Sequence, residues 1–346
     1  MTDDLIGSLI NRHRDDNIAN RYSFFPIKDE EMYKYFKTQE AAIWSSNEMD
    51  FSRDKKDYDS LSPELKRVID YVNAFFSATD GLIVDNIVLR FMLEAKNTEE
   101  QAYYITQAFI EVVHSETYSL IINTLITDEN ERKELFEAAN NWECVKNKMA
   151  WLDECMKSDK SRSYRLLVAA CGEGIFFISS FLFIFYFRSK GMFENIIFAN
   201  EQISKDEGIH RDVGLLNHLR EGKLNDETAF SIVRKAVELE CSFVDELLPN
   251  PIDDLYPDDV KKFVKFVADH LLAAAEYPKM YNILVDDLPS WINDLSMEQK
   301  SNFYEIRVGN YKQIDLKSAL NWRERINGNK EDRLRNAILN PLSIKF

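Results

Sequence analysis

The chain has 346 residues, 45% hydrophobic and 12% aromatic, which is enough for a large core and too apolar for a disordered segment. Its net charge of -16 argues against nonspecific binding to nucleic acid or to an anionic membrane. The four cysteines, Cys144, Cys155, Cys171 and Cys241, form no C-x-x-C pair, and Met1-Thr2-Asp3-Asp4 opens no secretory signal, so reduced structural thiols in a cytoplasmic protein are expected.

Residues 1–20 are polar and read as an arm. Between Pro63 and Pro249 lie 185 residues without proline, which permits a succession of uninterrupted helices. Start signals fit this: Ser62 before Pro63 and Glu64, Asn97-Thr98-Glu99-Glu100, Asn225-Asp226-Glu227 and Tyr256-Pro257-Asp258-Asp259. The pattern predicts helices over 63–94, 98–126, 129–145, 161–188, 191–220, 226–247 and 257–284, with no convincing strand alternation. An all-α bundle over 21–311 is the expectation. Residues 312–346 read as a separate tail, with eight Lys/Arg against four Asp/Glu.

Residues 166–187 carry a single charge, Glu173, in 22 positions, so length alone permits a membrane span. A carboxylate at that depth is costly in lipid. A helix buried on all sides of a large bundle has the same composition, and that is the reading adopted.

Two motifs carry the chemistry: Glu111-Val112-Val113-His114 and Glu207-Gly208-Ile209-His210. Residues three apart share a helix face, so each Glu/His pair can grip one metal ion. Each motif follows a single acid on an earlier helix: Asp80 lies 31 residues before Glu111, and Glu173 lies 34 before Glu207. Both single acids sit among apolar residues at helical spacing, where an unpaired carboxylate costs several kcal/mol. Four carboxylates and two imidazoles from four helices form the ligand set of a dinuclear site in a helical bundle, and suit iron or manganese better than zinc. One E-x-x-H is weak evidence. With 59 acids in 346 residues, roughly one histidine in six has an acid three positions earlier by chance. The specific signal is two such pairs, two single acids on apolar faces and matched intervals. His13, His218 and His270 lack such company.

Tyr118 is four residues past His114 and shares its face. Its ordinary role is packing with a bonded hydroxyl; beside a dinuclear oxygen-activating site it is also an oxidisable group. Phe177, Phe181 and Ile203 fall where they can line a dry pocket for a radical, and equally where they are simply core.

These residues sit in longer matching stretches: His114-Ser115-Glu116-Thr117-Tyr118-Ser119, Glu173-Gly174-Ile175-Phe176-Phe177, Ile203 through His210, Asn302-Phe303-Tyr304-Glu305-Ile306-Arg307-Val308, Trp44 through Asp54, and Ser77-Ala78-Thr79-Asp80-Gly81. Taken in order, they closely resemble the small, radical-generating subunit of class I ribonucleotide reductase, from about Tyr22 to Tyr311. The resemblance implies a ferritin-like homodimer with metal ligands Asp80, Glu111, His114, Glu173, Glu207 and His210. It implies a stable radical on Tyr118, a dinuclear iron centre with manganese not excluded, and an electron route from His114 through Asp206 to Trp44. It also implies a separate large subunit where ribonucleotides bind and are reduced; this chain has no G-x-x-x-x-G-K-[ST] phosphate loop, and its charge already argues against nucleic-acid and membrane binding. The tail departs from the pattern: it is basic and holds Trp322 but no tyrosine after Tyr311. Trp322 is therefore the candidate relay in a docking segment. The competing readings are another ferritin-like di-metal oxidase with its own substrate channel, and a degenerate subunit that stabilises an active homologue.

Overall fold

The computed structural model describes residues 23–86, 90–137 and 141–292, without the side chains at 80–82 and 84–86. The N-terminal arm, the stretch 302–308 and the 312–346 tail with Trp322 lie outside the described residues.

The main helices are α1 (Glu30–Ala41), α2 (Lys55–Ser60), α3 (Pro63–Asn86), α4 (Thr98–Leu125), α5 (Glu129–Phe136), α6 (Glu143–Lys157), α7 (Arg162–Cys171), α8 (Ile178–Tyr186), α9 (Glu194–Glu221), α10 (Asp226–Leu247) and α11 (Pro257–Ala274). A single turn of π-helix, Gly172–Phe176, joins α7 to α8. No strand occurs among the described residues, only an isolated bridge between Ile252 and Leu255.

The expected start signals act as caps. Asn97 Oδ1 accepts from the Glu100 amide at 2.8 Å, Asn225 Oδ1 from Thr228 at 2.9 Å, and Pro257 occupies the first turn of α11. Three boundaries differ from expectation. Helix α11 stops at Ala274, ten residues early: Glu276 adopts φ 60°, and the amides of Glu276 and Tyr277 bond back to Ala273 and Leu272, a left-handed cap that ends the helix before Pro278. Among the described residues, 129–145 is divided between α5, which ends at Phe136, and α6, which starts at Glu143 and continues to Lys157. Its buried stripe, Val145, Lys148, Leu152, Cys155 and Met156, contains a lysine that breaks the apolar period on paper. Helix α1 is absent from the sequence reading because only Met32 and Gln39 are buried on it, too few to set a period.

Helix α3 packs along α4, α7 along α9, and α9 also against α4. The two helix pairs inferred from the matched intervals thus form one bundle. The π-helix lies against α9, α10 and α11. Its approach requires Gly174: a Cβ there meets the Arg211 stem and Leu271 at 2.9 Å. The long apolar segment Arg162–Lys190 packs inside the protein, with 94% of its most apolar window buried. It forms the middle of the core.

Candidate metal centre

Helices α4 and α9 each present a Glu/His pair inward, and the π-helix adds Glu173. One ligand atom each from Glu111, Glu173, Glu207 and His210 lie within 4.8 Å of one another, all buried. His114 joins through Nδ1, 3.0 Å from Glu207 Oε1 and 3.3 Å from Glu111 Oε2. His210 Nδ1 lies 2.8 Å from Glu111 Oε1 and 3.2 Å from Glu207 Oε2. Asp80 sits on α3 at helical spacing between Phe76 and Ile83, both buried; its side chain is outside the description.

The electrostatics are those of a cation site. Burial pushes the Glu111 carboxyl up, and His210 and His114 more than reverse this, holding it at about 2. Burial pulls His210 down, but Glu111 and Glu207 raise it to about 10. His114 is held well above its usual range, against burial, by Asp206, Glu111 and Glu207. Both Glu111 oxygens and His114 Nδ1 are buried without an aligned hydrogen-bond partner, despite the short approaches. Buried acceptors left this way are costly. Divalent cations among them would satisfy the carboxylates and leave the imidazoles neutral, so the residues fit a metal pair.

Tyr118 is fully buried on α4, seven residues past Glu111, or about 10 Å along the axis. Its hydroxyl donates to Asn200 Oδ1 on α9 at 2.7 Å. Its ring stacks on Phe76, centroids 4.3 Å apart and 2° from parallel. Phe177 and Phe181 close around Phe76 at 5.2 and 5.0 Å. Ile203 is buried on α9, three residues past Asn200.

His114 uses both ring nitrogens. Opposite the carboxylates, Nε2 lies 3.2 Å from Asp206 Oδ2. The same oxygen accepts from Trp44 Nε1 at 2.9 Å, and the Trp44 ring stacks beside His114 at 5.9 Å and 25°. His114, Asp206 and Trp44 are therefore one connected chain leading away from the acidic cluster, and Trp44 is 7% exposed at its outer end.

The model of the family "Ribonucleotide reductase, small chain" matches residues 21–289. The chain belongs to this family. The ribonucleoside-diphosphate reductase small chain of Nicotiana tabacum is 38% identical over 303 residues, covering 87% of this chain and 92% of that one. Two solved structures share the fold. The Saccharomyces cerevisiae Rnr4 homodimer has TM-score 0.70 and 24% identity, covering 86% of this chain and 98% of that one. The Streptococcus sanguinis dimanganese(II)-NrdF has TM-score 0.70 and 18% identity, covering 80% and 99%.

The structure adds residues to this small chain that sequence reasoning missed. Gln39 Nε2 donates to Asp206 Oδ1 at 2.9 Å, so that carboxylate is gripped on both oxygens. Gln107 Nε2 reaches Glu173 Oε1 at 3.4 Å. Asn200, which holds the Tyr118 hydroxyl, is anchored by its Nδ2 donating to the Ile196 carbonyl at 2.8 Å. No motif flags any of the three. Gln107 follows Thr106 and Asn200 precedes Glu201 and Gln202, so neither stands out from its polar neighbours, and Gln39 lies on the unforeseen helix α1.

Proposed function

We propose that this chain is the radical-generating small subunit of ribonucleoside-diphosphate reductase and that Asp80, Glu111, His114, Glu173, Glu207 and His210 hold a dinuclear iron centre. The same ligand types suit manganese; iron is chosen because position 118 is an oxidisable tyrosine. Bound there, the metal pair would supply a one-electron oxidant drawn from O2. The chain's own residues do the rest. Tyr118 gives up the electron, and Asn200 fixes its hydroxyl. Phe76, Phe177, Phe181 and Ile203 exclude water from its ring. Asp206 ties His114 to Trp44, giving the radical equivalent an outward route toward a large subunit where ribonucleotides are reduced. We assign docking on that subunit to the 312–346 tail, with Trp322 as its oxidisable group.

The observation that carries this reading is the bifunctional placement of His114, with Nδ1 in the carboxylate cluster and Nε2 on the Asp206–Trp44 chain. It favours a radical exporter over an oxidase that consumes its oxidant in its own pocket. Full-length protein given ferrous iron and O2 is expected to develop a narrow tyrosyl resonance signal; its absence at two bound irons per chain overturns the proposal.

Metal uptake is also expected to release protons. The sign follows from the raised histidines: His210 is raised to about 10 and His114 is held well above its usual range, so both imidazoles carry the second ring proton in the metal-free protein at neutral pH, and a metal-bound imidazole cannot. Up to about two protons leave per chain near pH 7, and apparent affinity falls as pH is lowered, by up to roughly 100-fold per unit. Calorimetry in buffers of different ionisation enthalpy measures this; heats independent of buffer contradict it.

We further propose that the active form is a homodimer joined through α4. Ile105, Phe109 and Val112 recur at i, i+4 and i+7 and are 54%, 51% and 54% exposed, an apolar stripe on a helix whose other faces are buried. A second copy is the occupant suggested by the Rnr4 homodimer. Phe109→Glu is expected to move the protein from dimer to monomer in sedimentation, with helicity unchanged. An unshifted dimer places the interface elsewhere.

A further inference from the structure

Lys148 on α6 and Glu240 on α10 form an ion pair at 2.6 Å, and both are fully buried. Burial draws the lysine down and the glutamate up, each toward its neutral form, against their mutual attraction. Removing two charges from water costs about what their attraction returns, and apolar residues in the same space often serve stability as well. Stability therefore does not explain the pair, and its position supplies another role.

The pair straddles the point where the helix carrying Glu173 changes register. Upstream is the π-helix Gly172–Phe176; downstream, after Phe177, α8 begins at Ile178. A helix start leaves its first amides without partners inside the helix, and Phe177 supplies no side-chain cap. Lys148 Nζ donates to the Phe176 carbonyl at 2.8 Å on the upstream side. Glu240 Oε1 accepts from the Ser179 amide at 3.2 Å on the downstream side, and from the Ser179 hydroxyl. The lysine is itself fixed over the rings of Phe75 and Phe243, 3.5 and 4.1 Å from their centroids. One ion pair thus serves a backbone acceptor and a backbone donor on the two sides of one irregular turn.

We propose that Lys148 and Glu240 are positioning residues for Glu173, clamping the π-turn so that this carboxylate faces the metal site before any metal binds. A π-turn holds one residue more than the α-helix it interrupts. If it relaxes to α, residues on one side rotate by about 100° relative to the other. Glu173 then leaves the cluster with Glu111, Glu207 and His210. The inference rests on the reading of Glu173 as a metal ligand.

The test uses full-length protein and three variants: Lys148→Met, the apolar pair Lys148→Met/Glu240→Leu, and Val68→Ala as a core control distant on α3. Cobalt(II) is the probe, read by stoichiometry and visible spectrum beside the melting temperature. The apolar pair is expected to melt near the wild type, yet to bind its second cobalt at least tenfold more weakly and with a changed spectrum. Val68→Ala is expected to melt lower and bind two cobalt ions normally. Wild-type affinity and spectrum in the apolar pair overturn the proposal. If the wild type itself takes up no cobalt, the metal reading fails, and hydrogen exchange judges the clamp alone. In metal-free wild type the amides of residues 172–180 are expected to be protected as strongly as those of α7; exchange at the rate of residues 279–284 overturns it, whether or not any variant folds.

Discussion

Tyr118→Phe is expected to abolish the tyrosyl resonance signal and to lower reductase turnover by at least 10³-fold, while the protein still binds two irons. The ring is kept, so its stack on Phe76 survives. What is lost is the phenolic proton and the group that yields the electron. The structural cost is separable from the chemical one. Asn200 Oδ1 loses the donor that now reaches it at 2.7 Å in a fully buried site. Leaving such an acceptor without that bond costs about 1–3 kcal/mol, seen as a melting temperature lower by roughly 2–8 °C in a domain of this size. A melting shift with an intact narrow signal assigns the radical to another residue.

Asp206→Asn separates making the radical from exporting it. The aspartate accepts from three donors: Gln39 Nε2 on one oxygen, Trp44 Nε1 and His114 Nε2 on the other. An asparagine can keep its oxygen toward Trp44 and His114 and turn its amide toward Gln39. Gln39 Oε1 is buried without a hydrogen-bond partner, so that side chain can rotate to accept the new donor. The fold is therefore expected to survive, with the Tyr118 signal still forming. The carboxylate charge is lost, and with it the group that, on the proposed route, takes the indole proton of Trp44. Turnover with the large subunit is expected to fall by about 10²–10³-fold. Undiminished turnover removes Asp206 from the route and leaves it only a role in orienting His114.

The all-α class, the two E-x-x-H pairs and the pairing of their helices were legible because each depends on spacing along one helix. Residues three and four apart meet on a helix face wherever that helix is placed. Capping residues were legible for the same reason, so Ser62, Asn97 and Asn225 mark real helix starts. The failures are equally local in origin. Lys148 interrupted the apolar stripe of α6, and α1 buries too little to show a period. The early end of α11 turns on Glu276 accepting a left-handed conformation, for which glycine is the usual signal.

The sequence by itself determined which side chains can bind metal and which can be oxidised, because residue chemistry and helical spacing need no third dimension. Only the tertiary structure decided what joins them. The grip of Gln39 and Trp44 on Asp206, the Asn200 carbonyl under the Tyr118 hydroxyl, and the Lys148–Glu240 pair across the π-turn link residues 28 to 167 positions apart. Such contacts arise when separate helices pack. Their energy lies in directional bonds between buried polar groups, and no periodicity in the chain records which distant partner satisfies which atom.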